Sequence, residues 1–394
     1  MPAHSSPRRP YDVGVRRIGM LSTYPPKLCG LATFAAALTG ALRDLGHRVD
    51  VVRVNDGSDL PAVGQTVVAD LVNNDAASMR ATAAVLSRCD AVIVQHEYGI
   101  FGGDDGDEVL QLLDMLDAPV IAVLHTVPRT PTTHQKSVLE AVCARAARVV
   151  VMTDSALTRL CSSYDVAAAH VDVVPHGAAL APTEDPLMLS PAALVDPPQL
   201  LTWGLLGPGK GIEHAIDAMA LLPFVEPHLR YTVAGVTHPK VFARDGDAYR
   251  HFLMRHTRSG PAAEAVTFDD TYRDVAQLTR FVASSSVVVL PYDSRDQVTS
   301  GVLVDAIAAG RPVIATAFPH AVELLASGAG MVVPHADPAA LAEAIRTVMF
   351  DEGVLASMTA EAQRIAPSLS WAAVADRYVE LCSLVELADE PVAM

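Results

Sequence analysis

The rhythm of the chain constrains its fold most. Short, nearly continuous apolar runs, "RRIGMLSTY", "RVDVVRV", "DAVIVQHEYG", "PVIAVLHTV" and "ARVVVMTD", alternate with helical segments such as "GLATFAAALTGALRDLG" and "AASMRATAAVLSR". Runs of this length suit strands buried on both faces, and the helical segments between them supply crossovers. A parallel, doubly wound sheet follows. A last short strand, "HVDVVPHGA", precedes residues 181–198, "APTEDPLMLSPAALVDPP", where five prolines and no sustained strand mark a linker. The rhythm then restarts with "QLLTWGLL", "GIEHAIDAMALL", "RYTVAGV", "AVTFDD", "RDVAQLTRFVASS", "SVVVLPY" and "GVLVDAIAAGRPVIAT", and closes with "AGMVVP" and "DPAALAEAIRTVM". A final helix, "SWAAVADRYVELCSLVEL", has no strand of its own. At 394 residues the chain exceeds one ordinary core, so two Rossmann-like domains facing a cleft are expected. Their expected bounds are 1–180 and 199–368, joined by the linker 181–198, with helix 369–388 packing back on the first domain.

Composition narrows the function classes. Mean hydropathy is +0.28, yet no apolar run approaches the roughly 18 residues that would span a bilayer. The formal charge of -16, from 29 Lys and Arg against 45 Asp and Glu, disfavours nucleic-acid binding and docking on an anionic membrane through a large basic patch. Any membrane contact is expected to be peripheral. The basic N-terminal stretch is followed by no apolar core, so no secretory signal is expected. Five cysteines, odd in number and without CxxC spacing, read as reduced thiols of a cytoplasmic protein.

Ligands in doubly wound sheets lie beyond the carboxyl ends of the strands, so chemistry is sought there. In "WGLLGPGKGIEHAIDA", Gly204, four residues, Gly209 and Lys210 match a P-loop up to its last position, where Gly211 replaces the magnesium-holding Ser or Thr. What survives is a glycine-rich turn and a lysine opening a helix. This suits a diphosphate; the alternative is an exposed turn with a solvated lysine. In "STYPPKLCGLATF", Pro25 and Pro26 stiffen the strand–helix loop and Gly30 lets backbone approach a ligand; a plain connection would tolerate the same residues. His96 and Glu97 end one buried strand, and His125 ends the next. Each could line the cleft or be structural. His176 and Gly177 in "VVPHGA" sit at the domain junction and shape the hinge. HExxH spacing does not occur, and no metal site is expected. In "DQVTSGVLVDAIAAGRPVIAT", a polar loop leads into a helix whose N-terminus favours an anion, with Gln297 and Asp305 as its two notable polar side chains.

Taken in order, these segments resemble the retaining glycosyltransferases of family 4, which have the glycosyltransferase-B fold. The resemblance runs from Ile18 to the last helix and is carried by "YPPKLCGLATF", "VVPHG", "GLLGPGKGIEHAIDA" and "GVLVDAIAAGRPVIAT". It implies a nucleoside-diphosphate sugar as co-substrate on the second domain and a sugar, lipid or small-molecule acceptor on the first. It implies no cofactor or metal, because cations and helix dipoles neutralise the leaving diphosphate. Carried over residue by residue, Lys210 and the backbone N–H groups of Ser300, Gly301 and Val302 hold the diphosphate. Asp305 reaches the ribose, and Gln297 and His125 contact the transferred sugar. Gly30, Gly209, Gly235, Arg295 and Leu303 belong to the donor site, and Thr23, His96 and Glu97 to the acceptor side. Asp269 and Asp270 border the nucleotide, Tyr272 lies against the base, and Glu213 aids its helix start.

Two positions depart from the family pattern. The family commonly has Glu, seven residues, Glu where this chain has Gln297 and Asp305, and Arg where it has Leu205. Arg295 or Arg311 is then expected to supply the second cation. Gln297 cannot act as a nucleophile or base. The resemblance therefore implies a hexosyl transfer in which the leaving phosphate deprotonates the acceptor. The alternative is a catalytically weakened relative that binds a nucleotide-sugar or glycan.

Overall fold

Every strand pair among the described residues of the computed structural model (14–27, 29–57, 66–180, 198–222, 229–271 and 273–389) is parallel. The first sheet contains β1 (Arg17–Ser22), β2 (Arg48–Asn55), β3 (Val67–Val72), β4 (Ala91–His96), β5 (Val120–Leu124), β6 (Arg148–Val151) and β7 (Val171–Val173), in the order β3-β2-β1-β4-β5-β6-β7. The second contains β8 (Gln199–Trp203), β9 (Arg230–Ala234), β10 (Val266–Asp269), β11 (Val287–Leu290), β12 (Val313–Thr316) and β13 (Gly330–Val333), in the order β10-β9-β8-β11-β12-β13. Strand order reverses at β1/β4 and at β8/β11. Those two switch points are where a doubly wound sheet opens a crevice for ligand.

The apolar runs form central strands because both faces are covered. All residues of β4, β5, β11 and β12 are buried. Each fully buried Val, Leu or Ile contributes about 1.5–3 kcal/mol relative to exposure. Ile18, Met20 and Ile93 point to one face of the first sheet and pack on Phe34 and Leu38 of helix Gly30–Asp44. Leu21, Val92 and Val94 point to the other, against Leu112, Leu139 and Leu160. The final helix, Trp371–Asp389, shares the first of these cores through Val374, Tyr378 and Cys382. All five cysteines are free thiols.

Among the elements that go beyond the sequence reading, three bear on the fold most. β3 is a half-exposed edge strand whose burial lacks a clean period of two. It is fixed by the buried Arg53 of β2, which donates to both carboxylate oxygens of Asp70 at 2.7 and 3.0 Å. Helices Pro239–Asp245 and Ala248–Ser259 fill the crossover from β9 to β10, where no helix is expected from the sequence. No helix among the described residues is long and apolar enough to cross a membrane. Most of the linker, residues 181–197, lies outside the described residues.

Candidate active site

On the second domain, the loop after β8 is shaped by glycines that admit no side chain. A Cβ at Gly235 would lie 1.9 Å from the carbonyl oxygen of Gly204, which lets the loop after β9 pair with it. Leu206 N–H donates to Val236 O at 2.8 Å, and His238 N–H to Leu206 O at 2.8 Å. Gly211 is left-handed, at φ 60°, and a Cβ there would sit 1.9 Å from Pro291 O. The position where a P-loop carries its hydroxyl therefore has no room for one, and the P-loop match ends for a steric reason. Gly209, at φ 88°, meets no atom within 4 Å. Lys210 lies with its ammonium 4.3 Å from the centre of the buried Tyr292 ring. Burial lowers its pKa, so an anion arriving here relieves the cost of a desolvated charge. Glu213 accepts a hydrogen bond from Tyr249 Oη at 2.6 Å, a packing role between helices Ile212–Leu221 and Ala248–Ser259.

The loop after β11 leads into helix Gly301–Ala308. Ser300 caps that helix, its Oγ accepting from Leu303 N–H at 3.3 Å. Its own N–H donates to His320 Nδ1 at 2.8 Å, so His320 carries its proton on Nε2, and burial lowers its pKa to about 4. Gly301 lies against the first domain: a Cβ would meet His176 Nε2 at 2.9 Å. Val302 is half-buried. Gln297 is half-buried, its Nε2 donating to Thr299 O at 3.0 Å. Asp305 lies on the same helix, half-buried and without a hydrogen bond to its carboxylate among the described residues. Burial raises its pKa to about 7. Arg295 is exposed on the loop. Arg311 is not a replacement for the cation missing at Leu205. It is 1 % exposed and is separated by one residue from β12, at the amino end of a strand whose carboxyl end faces the site.

On the first domain, Thr23 is buried just after β1, its Oγ1 3.3 Å from Cys29 Sγ. Cys29 caps helix Gly30–Asp44, its Sγ accepting from Ala32 N–H at 3.4 Å. A Cβ at Gly30 would meet nothing within 4 Å. The Pro25–Pro26 peptide is cis. At the end of β4, His96 is fully buried and neither ring nitrogen has a partner among the described residues. Burial lowers its pKa to about 4. Glu97 is half-buried and accepts from Thr126 Oγ1, and burial raises its pKa. His125, after β5, has Nε2 2.6 Å from Gln95 Oε1, while the Gln95 amide nitrogen points at Met20 Sδ, 3.5 Å away. A carbonyl facing Nε2 requires the proton there, which leaves Nδ1 as an acceptor. Burial, with smaller contributions from His176 and His96, lowers the His125 pKa to about 3.

His125, His176 and Trp371 converge on one ring: each meets Phe34 edge-on at 4.9–5.0 Å between centroids. His176 Nδ1 donates to Gly177 O at 2.7 Å, and a Cβ at Gly177 would lie 2.3 Å from the Trp371 ring. That close approach is the reason for a glycine in "VVPHG". Further out, Asp269 is occupied by Arg273 and by Thr271 N–H at 2.8 Å. Burial pushes its pKa up, but these partners outweigh it and hold the carboxyl at about 2. Asp270 is exposed, 4.0 Å from Arg250, and Tyr272 lies outside the described residues. Among the described residues one cluster has metal-ligand spacing, Glu213, His214 and Asp293, with donor atoms within 4.8 Å of one another. His214 Nε2 already lies 3.2 Å from Asp293.

The sequence reading misses cations that reach between the domains, Lys240 among them. Lys240, second residue of helix Pro239–Asp245, reaches the first domain: its Nζ lies 3.5 Å from where a Cβ at Gly99 would be. Its charge bears on Glu97, and the pKa of His238 is lowered by burial first and then by the charges of Lys240 and Lys210. "THPK" announces a helix start through its proline, but nothing in it indicates a contact 141 residues away.

Residues 29–181 match the family described as Glycosyltransferase Family 4, and residues 197–351 match Glycosyl transferases group 1. Comparison with curated proteins gives no match. Among solved structures, Anabaena Alr3699/HepE in complex with UDP is similar at a TM-score of 0.74 and 19% identity, covering 93% of this chain and 100% of that one. Sucrose-phosphate synthase (tll1590) from Thermosynechococcus elongatus follows at 0.72 and 19%, covering 95% and 100%. A glycosyltransferase from Rickettsia africae gives 0.71 and 12%, with the same coverage. At these identities the structural likeness establishes the fold, and the two family matches establish the kinship. The chain, with its two parallel sheets opening at facing switch points, belongs to the family 4, group 1 glycosyltransferases of the glycosyltransferase-B fold.

Proposed function

We propose that this protein is a retaining hexosyltransferase that moves a sugar from a uridine-diphosphate sugar to an acceptor hydroxyl without a metal ion. The observation that carries this reading is the desolvated ammonium of Lys210 on a glycine loop at the β8/β11 switch point, where helix Gly301–Ala308 also begins. Both devices suit a diphosphate. The Anabaena relative has been solved with UDP and with UDP-glucose, which makes UDP-glucose the first donor to test.

In this reading the bond from sugar C1 to the β-phosphate oxygen breaks, and a bond from C1 to the acceptor oxygen forms on the same face. The acceptor proton passes to the departing phosphate oxygen, so no protein base is required and Gln297 is no obstacle. Lys210 and the N–H groups of Gly301 and Val302 stabilise the growing phosphate charge, whereas the Ser300 N–H is already given to His320 Nδ1 and does not face the phosphate. Gln297 hydrogen-bonds sugar hydroxyls as donor and acceptor, and neutral His125 accepts from one through Nδ1. Asp305 accepts from the ribose hydroxyls, and Gly209, Gly235, Leu303 and Arg295 line the donor. Thr23 and Glu97 face the acceptor, with His96 packed beneath them.

A panel of UDP-, GDP- and ADP-sugars, assayed for nucleotide release, tests the proposal. Turnover with one nucleotide class and loss of turnover in Lys210→Ala are expected. Leu205 and Gln297 motivate a second reading, a nucleotide-sugar-binding protein without turnover. Saturable binding with no release across acceptors would favour it.

A further inference from the structure

The loop that carries Gln297 is held by the other domain. Arg159 Nη1, from helix Asp154–Ser163 of the first domain, donates to Asp296 O at 2.7 Å and to Val127 O at 3.0 Å. Thr153, which caps the same helix, donates from Oγ1 to Val298 O at 2.9 Å, a contact buried on both sides. The two gripped carbonyls flank Gln297 directly. The N-terminus of this first-domain helix is in turn held by Glu323 of helix Pro319–Leu325. Its carboxylate accepts from Asp154 N–H at 2.8 Å, Ser155 N–H at 2.8 Å and Ser155 Oγ at 2.6 Å. A carboxylate on unsatisfied N–H groups at a helix start is a favourable arrangement, and here it joins residues nearly 170 positions apart.

We propose that Thr153 and Arg159 are positioning residues for Gln297, with Glu323 holding the helix that bears them against the second domain. The first domain thereby shares in setting the shape of the loop facing the transferred sugar with second-domain His320, whose N–H donates to Gln297 O at 3.4 Å. The diphosphate end of the site is anchored separately, by Lys210 and the Ser300 cap. Loosening the clasp should therefore harm the sugar-dependent step while leaving nucleotide affinity intact. The inference rests on reading the 296–300 loop as part of the donor site.

The test uses the full chain with Glu323→Ala, Glu323→Gln and Thr153→Val, with UDP and UDP-glucose as probes. In Glu323→Ala and Thr153→Val, UDP affinity by calorimetry should stay within about threefold, while kcat for UDP release from UDP-glucose falls about tenfold to a hundredfold. Glu323→Gln, which keeps one acceptor oxygen, should recover most of that loss, and it is the variant to read if the alanine form does not fold. An unchanged kcat in folded variants overturns the proposal. So does a loss of UDP affinity equal to the loss of kcat, which marks a purely structural clasp. If the wild-type protein neither binds UDP nor releases it from UDP-glucose, the functional reading fails instead. Small-angle scattering then decides the clasp by itself: Glu323→Ala should enlarge the radius of gyration, and an unchanged radius refutes it.

Discussion

Gly211→Ser would complete the P-loop pattern in sequence, and the structure says it should damage the protein. Gly211 is left-handed at φ 60°, ψ 20°, a conformation that costs a residue with a Cβ about 1–2 kcal/mol. The new Cβ would also lie 1.9 Å from Pro291 O, a backbone atom that cannot swing aside like a side-chain tip. Pro291 is held in turn, because Asp293 N–H two residues on donates to Gly209 O at 3.0 Å. Forcing that contact apart costs about 1–3 kcal/mol more. At about 2–4 °C per kcal/mol for a domain of this size, the unfolding transition should fall on the order of 10 °C. Gly209→Ala is the control. It shares the left-handed conformation, at φ 88°, but meets no atom within 4 Å. It should therefore lose only the conformational part, about 1 kcal/mol and a few degrees. Calorimetric melting of the three proteins, with an ATPase assay alongside, settles the matter. A Gly211→Ser variant that melts with the wild type, or that gains magnesium-dependent ATP hydrolysis, refutes the steric account of this loop.

Lys210→Ala should lower nucleotide-release turnover about 10²–10³-fold through lost stabilisation of the leaving phosphate, read from kcat/KM with the preferred donor. Under the proposed function, in which residue 297 positions the sugar without a charge-dependent step, Gln297→Glu should keep donor affinity within about tenfold by calorimetry. Asp305 predicts a pH signature. Its folded pKa, raised from 3.8 to about 7, means the native state holds a proton that the unfolded chain has released, so stability falls as pH rises between those values. Asp305→Asn should remove that slope: denaturant midpoints should match the wild type near pH 4 and exceed it at pH 8.

The doubly wound architecture was legible because buried parallel strands write themselves as uninterrupted apolar runs. β3 was not, since an edge strand half open to solvent has no such run and depends on Arg53 reaching across to Asp70. The glycines of the site were visible as motifs, but not their reasons. Gly177 is explained by the Trp371 ring and Gly235 by Gly204 O, contacts between segments remote or separate in sequence. The helix starts after Lys210 and at Gly301 were readable because they are local patterns. Lys240 and Glu323 were not, because what distinguishes them is a partner on the other domain. The expected cation Arg311 shows the converse, a plausible residue type at the wrong end of its strand.

The placement of the final helix bears on how this protein is made. Val374, Tyr378 and Cys382 complete the same core as Ile18, Met20 and Phe34, so the chain leaves the first domain, builds the second, and returns. Topologically, the second domain is an insertion into the first. A ribosome releasing this chain would free the second domain to fold while the first still lacked one wall. Any fragment that stops at the linker would carry an uncovered apolar face. Independent production of the first domain requires residues from both ends of the sequence.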